Sequence, residues 1–392
     1  MLKEKSAATL APASARARSM PRSAIREIMA LAAEQTDVIH LEVGEPDAST
    51  PAHIIEGAFG AARAGWTKYS PNSGLPTLRQ MIAERSARRW GANVAANQVV
   101  VTTGAIGALF TAIVTVVEAG DEILIPDPGW PNYESIAHLV GATAVRYALP
   151  AQNGFLPDPD EIASRINDRT KAILLNTPGN PTGAVFPRAL MARLAEIARA
   201  HGLYLISDEI YEDIVFGREH VSAAAFGLGP NVFIISGFSK SYAMTGWRLG
   251  WLVCSPELAP VATGLQEPLT SCASTLSQKA GEAALSGSAD CVAEFRDLFR
   301  RRRDILVEVF DKTGLLPMVP EGAFYGLVDI SRTGLRSLDF AKRFLVERKV
   351  ATVPGITFGP SCDRFVRVAF TISDASLREG LQRLRDYVEK FP

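Results

Sequence analysis

Three segments carry residue types able to do chemistry, and the most telling is 236–250, Ser-Gly-Phe-Ser-Lys-Ser-Tyr-Ala-Met-Thr-Gly-Trp-Arg-Leu-Gly. It sets Lys240 among small residues, eight positions before Arg248 and beside an apolar run. Cations held close to a core are costly unless an anion compensates them, so this spacing points to a bound anion and to an amine usable as nucleophile or base. A lone loop lysine is ordinarily a surface residue; the second cation and the small neighbours set this one apart. In 206–212, Ile-Ser-Asp-Glu-Ile-Tyr-Glu, two acids and Tyr211 follow directly on an apolar strand. Strand carboxyl ends are where α/β sheets bind ligands, so Asp208 is expected to face a bound molecule. Glu209 is expected to turn the other way and to matter less on truncation to alanine; taken alone, the segment reads equally well as a plain helix start or loop. The third segment, 102–109 (TTGAIGAL), runs from a strand end through Gly104 into an apolar helix. Unpaired N–H groups at such a helix start stabilise phosphate. An ordinary strand-to-helix turn fits as well, and the GxGxxG dinucleotide fingerprint is absent.

The elements that must position these residues alternate along the chain. The runs 98–102 (QVVVT), 122–125 (EILI), 171–175 (KAILL), 203–206 (LYLI), 232–236 (VFIIS) and 249–253 (LGWLV) are short, apolar and β-branched. Their near-continuous hydrophobicity predicts strands buried on both faces of a mostly parallel sheet. Helical patterns lie between them, as where Leu190, Leu194 and Ile197 share one face. The predicted class is therefore α/β. After about residue 285 long amphipathic helices take over, at 294–310 and at 377–390, the latter with Leu377, Leu381, Leu384 and Val388 on one stripe. The predicted division is 1–43 as an N-terminal arm with part of a small domain, 44–285 as the large domain, and 286–392 as the small C-terminal domain. The arginine run 300–303 reads as a solvated helix face rather than a functional basic patch.

With 392 residues, 47% of them hydrophobic, the chain can bury a large core. A formal net charge of −1 and a pI near 6.6 give no reason to expect nucleic acid or an anionic membrane as partner, which leaves a small molecule. Cys254, Cys272, Cys291 and Cys362 are widely spaced, so neither a metal site nor a disulfide framework is expected, and a reducing compartment fits. The N-terminal stretch has no apolar core of signal-peptide length, and no later run reaches membrane-spanning length; a soluble, cytoplasmic protein is expected.

The stretch from Gly237 to Gly250 resembles throughout the lysine-attachment signature of the class I aminotransferases, the fold-type I enzymes that use pyridoxal 5'-phosphate (PLP). The resemblance continues in order through Gly44-Glu45-Pro46-Asp47, Tyr69, Asn180-Pro181-Thr182-Gly183, the segment 208–211, and Arg367 in Phe365-Val366-Arg367-Val368. It implies a mostly parallel seven-stranded sheet in a large domain with a smaller α+β domain. It implies an aminotransferase that passes the amino group of an α-amino acid to a 2-oxo acid by a ping-pong route, resembling the aspartate aminotransferases. By the same resemblance, Lys240 holds PLP as a Schiff base and shuttles the proton. Asp208 pairs with the pyridine nitrogen, Tyr211 and Asn180 bond the 3' oxygen, and Trp130 stacks on the ring. Arg248 and the backbone of Gly104, Ala105 and Ile106 hold the phosphate. Arg367 clamps the substrate carboxylate beside Gly44, Trp130 and Asn180, while Tyr69 reaches the phosphate of a neighbouring subunit, which makes a homodimer with shared sites. As isolated residues, Trp130 reads as core and Arg367 as a surface strand arginine.

Two positions depart from the family pattern. Gly237 stands where a phosphate-binding serine is common, and Ala48 follows Asp47 where an aromatic residue is common, which leaves room near the substrate. With no basic residue evident for a dicarboxylate side chain, donors beyond aspartate are expected. The alternative on the same fold is a PLP-dependent lyase or synthase, in which the same carbanion expels a leaving group. A PLP-sensing transcription regulator would need a DNA-binding domain, and the roughly forty residues before Gly44 hold no helix-turn-helix pattern. A dead-site interaction protein is disfavoured because Lys240, Asp208 and Arg248 are all present.

Overall fold

The computed structural model describes residues 12–21 and 24–391. Twelve strands form among them: β1 (Ile39–His40), β2 (Val99–Thr103), β3 (Glu122–Asp127), β4 (Thr143–Ala148), β5 (Thr170–Asn176), β6 (Tyr204–Asp208), β7 (Val232–Gly237), β8 (Leu249–Val253), β9 (Tyr325–Asp329), β10 (Val350–Ala351), β11 (Val353–Pro354) and β12 (Phe365–Ala369). Seven of these make one sheet in the order β2-β8-β7-β6-β5-β3-β4. Every pairing is parallel except those of β8, which runs against both β2 and β7. The α/β class and the seven-stranded, mostly parallel sheet expected from sequence are those observed.

The predicted two-sided burial is visible residue by residue. Leu124, Ile173, Leu175, Leu205, Ile234 and Trp251 belong to one core, whereas their chain neighbours Ile123, Ile125, Leu174, Ile206, Ile235 and Leu252 belong to another. Alternate side chains of a strand point to opposite faces, so both faces must be covered by helices, and both are. Helix Arg188–Ala200 brings Met191, Leu194 and Ile197 to the first face; helix Gly104–Val116 brings Leu109 and Ile113 to the second. Strand β4 escaped the sequence reading. It is an edge strand, half-exposed, whose Thr143, Arg146 and Ala148 break the apolar run.

The remaining strands serve a second core. β11, β12 and β9 form an antiparallel sheet in that order, and β1 pairs in parallel with β10. Phe299 and Leu306 of helix Asp290–Val309 pack there with Leu377, Leu381, Leu384 and Val388 of helix Asp374–Glu389, the stripe read from sequence. No helix among the described residues is long and apolar enough to cross a membrane.

The reading of 300–303 as a solvated face needs correction at one residue. Arg300 and Arg301 are exposed, but the Arg302 side chain is only 6% exposed. Its Nη1 and Nη2 donate to the two carboxylate oxygens of Asp47, each at 2.8 Å, and its Nε donates to Asp374 at 3.1 Å. A guanidinium tolerates burial when its planar fork is matched by carboxylates, and both partners here are remote in sequence.

Candidate active site

Parallel strands all end at the same edge of their sheet, and the polar residues collect there because the faces are closed. Thr103 ends β2, Asp127 ends β3, Asn176 ends β5, Asp208 ends β6 and Gly237 ends β7. Because β8 is reversed, its first residue, Leu249, lies at that same edge, and Arg248 immediately before it does too. β12 contributes Arg367 from the second sheet. The result is a cleft of about 450 Å³ whose lining includes Gly44, Trp130, Asn180, Tyr211, Lys240 and Arg248. Ala105, Ile106, Asp208 and Arg367 line it as well. Gly104 lies just behind, against Arg248. Tyr69 is the exception: it is 89% exposed and does not line the cleft of its own chain.

Lys240 donates from Nζ to the carbonyl oxygen of Gly44 at 2.8 Å. Burial pulls its pKa down to about 8; Glu45 opposes the shift, Arg367 and Arg248 reinforce it, and Asp208 opposes it. Asp208 moves the other way, to about 6, chiefly because its carboxylate is buried. Tyr133 donates its hydroxyl to Asp208 Oδ2 at 2.8 Å, and that bond together with the Ile210 N–H holds the shift in check. A buried acid raised and a buried amine lowered, in one cleft, are the signature of groups kept close to a change of protonation near neutrality.

The cations are aimed by backbone and by stacking. Arg248 sits in the left-handed region, φ 52°, with Nη1 donating to Thr245 O at 2.9 Å. Its guanidinium leaves no room at Gly104: a Cβ there would lie 2.7 Å from Nη2, and the φ of +73° would itself disfavour a side chain. Arg367 is sandwiched between the rings of Tyr325 and Phe358, 4.3 and 5.2 Å from its guanidinium carbon. It donates to Asn180 Oδ1 at 3.1 Å and to the carbonyl oxygen of Glu42 at 2.7 Å, while its buried Nε has no partner. The bland reading of Arg367 as a surface arginine is thereby excluded. Tyr211 shares a 2.9 Å hydrogen bond with Tyr325, and burial drives its pKa well above the ordinary phenol value.

Glu209 does turn away. Fully buried, it accepts from Ser207 Oγ at 2.8 Å and from the Ala223 N–H at 3.0 Å, and lies 3.0 Å from His220 Nε2. It does not line the cleft, and truncating it would strand those donors at a cost in stability. Tyr133 and Tyr325 were missed as site residues. Tyr133 lies three residues after Trp130 and was open to notice; Tyr325 carries no local signal, because only the fold brings β9 beside Tyr211. The glycine at 237 also has a structural reason, since a Cβ there would stand 3.1 Å from both Gly250 Cα and Leu249 O.

A cleft at strand carboxyl ends, lined by two arginines, a half-buried amine and a buried acid, defines an α/β protein equipped for amine chemistry. The comparisons specify it further. The family model described as aminotransferase class I and II matches residues 36–384. The aspartate aminotransferase of Pyrococcus horikoshii is 36% identical over 372 residues, which cover 94% of this chain and 95% of that one. The arginine–pyruvate transaminase of Pseudomonas aeruginosa is 38% identical over 350 residues, 89% of each. The solved structure of Thermus thermophilus aspartate aminotransferase with maleate superposes with a TM-score of 0.92 at 35% identity, covering 96% of this chain and 99% of that one. The chain belongs to the class I and II aminotransferases. It is an enzyme that transfers an amino group from an α-amino acid to a 2-oxo acid.

The raised Asp208 pKa has a measurable sign. Its folded value lies above the ordinary 3.8, so its contribution to stability is fully present below about pH 4 and is lost as the pH rises through about 6. In ligand-free protein, Asp208→Asn should therefore raise the unfolding free energy at pH 8, by about 3 kcal/mol at most, and the gain should vanish by pH 4. Denaturant unfolding at the two pH values checks this; equal gains at both would show that the carboxylate is not penalised by burial.

Proposed function

We propose that the cleft holds pyridoxal 5'-phosphate on Lys240 and that the chain transaminates through it. The observation that carries this is the half-buried Lys240 amine, with its lowered pKa, sharing one cleft with Asp208, Arg248 and Arg367. The residues fit the group: a glycine-lined turn against Arg248 for a phosphate, an acid for a ring nitrogen, and a stacked arginine lining the cleft, with only two of its five N–H donors used, for a carboxylate. When bound, the cofactor supplies the electron sink that makes the substrate Cα–H acidic.

The chain's own residues do the rest. Arg248 and the N–H groups of Gly104, Ala105 and Ile106 bind the phosphate, and Ser239, which lines the cleft, offers a hydroxyl that Gly237 lacks. Asp208, steadied by Tyr133, keeps the ring nitrogen protonated. Tyr211 and Asn180 hold the 3' oxygen, and Trp130 covers the ring face. Arg367 fixes the substrate α-carboxylate beside Gly44, which turns Cα–H toward Lys240. Lys240 Nζ takes that proton and later gives one back, a task suited to an amine whose pKa lies near 8. Transamination then proceeds in two halves, donor first and acceptor second.

The same reading makes the enzyme a cytoplasmic homodimer whose Tyr69, exposed on its own subunit, reaches the partner's phosphate. It assigns 44–285 to the large domain and 286–392, with part of 1–43, to the small one. Relatives of similar identity differ in substrate, with aspartate named for one and arginine with pyruvate for another. The apolar Ile25, Met29 and Ile106 at the cleft support donors beyond small dicarboxylates.

Three outcomes are expected. Borohydride reduction should fix one pyridoxyl group on Lys240 by mass spectrometry, and Lys240→Ala should lose turnover by several orders of magnitude; an adduct on another lysine would sink the proposal. Subunit hybrids of Lys240→Ala with Tyr69→Ala should regain about a quarter of the activity on statistical mixing, since each mixed dimer holds one intact site; no recovery would contradict site sharing. In a donor panel with 2-oxoglutarate, pyruvate and oxaloacetate, several neutral donors should be accepted. Ammonia and a 2-oxo acid formed without any acceptor would indicate the lyase reading instead.

A further inference from the structure

We propose that Arg302 is a positioning residue for Lys240, acting through the strip of chain at residues 41–47. Resting on the reading of Lys240 as the proton-carrying amine, the inference concerns what holds that amine when it is free.

The strip is tied along one side to β12 and the residues just after it. Leu41 O accepts from the Ala369 N–H at 2.7 Å, Glu42 O from Arg367 Nη2 at 2.7 Å, and Val43 O from Thr371 Oγ1 at 2.8 Å. After Val43 these bonds stop, and the chain arches through Gly44, Glu45 and Pro46. The arch presents one carbonyl to the cleft, that of Gly44, and Lys240 Nζ donates to it at 2.8 Å. Gly44 leaves no free space for a side chain, because a Cβ there would collide with the Tyr325 hydroxyl. The far foot of the arch is Asp47, and there Arg302 grips both carboxylate oxygens at 2.8 Å. The arch is held at both feet, by the bonds to the carbonyls of residues 41–43 and by one two-pronged ion pair at 47, and between them Thr245 Oγ1 donates to the Glu45 carboxylate.

That ion pair is built for placement. Arg302 lies in helix Asp290–Val309, its side chain is nearly buried, and its Nε is held by Asp374 at the first turn of the next long helix. A fork–fork pair fixes both distance and plane, which a single contact does not. Pro46, directly before Asp47, has a fixed φ, so displacement of Asp47 is passed toward Gly44 with little slack. The position of the Gly44 carbonyl, and with it the resting place of the freed amine, follows from a guanidinium that itself does not line the cleft.

The test uses holoenzyme and four variants: Arg302→Met, Arg302→Lys, Asp47→Asn and Asp374→Asn. Misplacing a catalytic group by about 1 Å costs up to roughly a hundredfold in rate. Arg302→Met and Asp47→Asn should each lower kcat by roughly ten- to a hundredfold while KM stays within about threefold, and the double variant should be no worse than either alone. Arg302→Lys, which keeps the charge without the fork, should recover only part of the loss. Asp374→Asn takes the charge from the same guanidinium's other partner without touching the strip, so it should leave kcat nearly unchanged. With a Cα-deuterated donor, aspartate or alanine according to which is converted faster, the isotope effect on kcat should rise in Arg302→Met and Asp47→Asn and not in Asp374→Asn. A loss shared equally by Asp47→Asn and Asp374→Asn, or an unchanged isotope effect, would overturn the proposal and leave Arg302 a stability residue. If Arg302→Met fails to fold, Asp47→Asn carries the same comparison. Borohydride labelling of each variant separates the two ideas: absence of a Lys240 adduct in the parent enzyme defeats the cofactor reading, whereas a labelled parent with unaltered variant kinetics defeats this one.

Discussion

A sheet covered by helices on both faces can place polar groups in one kind of location without burying them unsatisfied, and that is beyond the ends of its strands. The geometry of the cleft follows from this constraint. Each of β2, β5, β6 and β7 runs apolar until its last residues and then releases a threonine, an asparagine, an aspartate or a glycine at the common edge. The reversal of β8 adds the residue before its first, so that Arg248 meets the helix start that follows β2. Neighbouring strands therefore deliver an acid, an amine and a guanidinium to one cleft from segments far apart in sequence.

Bringing unlike charges together in a half-closed space changes what each of them is. Burial alone would neutralise both Lys240 and Asp208, and in each case it is the largest influence on the pKa. The opposing influences are specific and local: a tyrosine hydroxyl on the acid, Glu45 near the amine. The two groups are left about one unit from neutrality, one on either side, where proton movement needs little driving force. Arg367 shows the complementary case. Two aromatic rings and two acceptors hold its plane and occupy two of its five N–H donors, which leaves the guanidinium short of partners.

How much of this could be read in advance depended on the range of the interaction. Runs such as VVVT and VFIIS announce buried strands because both faces impose the same demand on every residue. Strand β4, with one side open to solvent, loses that demand and its signal with it. Lys240 and Arg248 were legible because one loop holds both, and Asp208 because it follows its strand directly. The residues that aim them were not. Tyr325 meets Tyr211 across 114 positions and Arg302 meets Asp47 across 255, and no local pattern encodes a partner at such separation. Arg302 was misread for a further reason, since three other arginines around it gave the helix the look of a solvated face.

The backbone at Arg248 sets the interests of fold and function against each other. A φ of 52° is unfavourable for any residue with a Cβ, by an amount on the order of 1 kcal/mol, and glycine alone would relax it. The chain thus carries a local conformational cost at the residue whose guanidinium lines the cleft. A sequence chosen on this backbone for stability alone would place glycine at 248 and lose the guanidinium from the cleft.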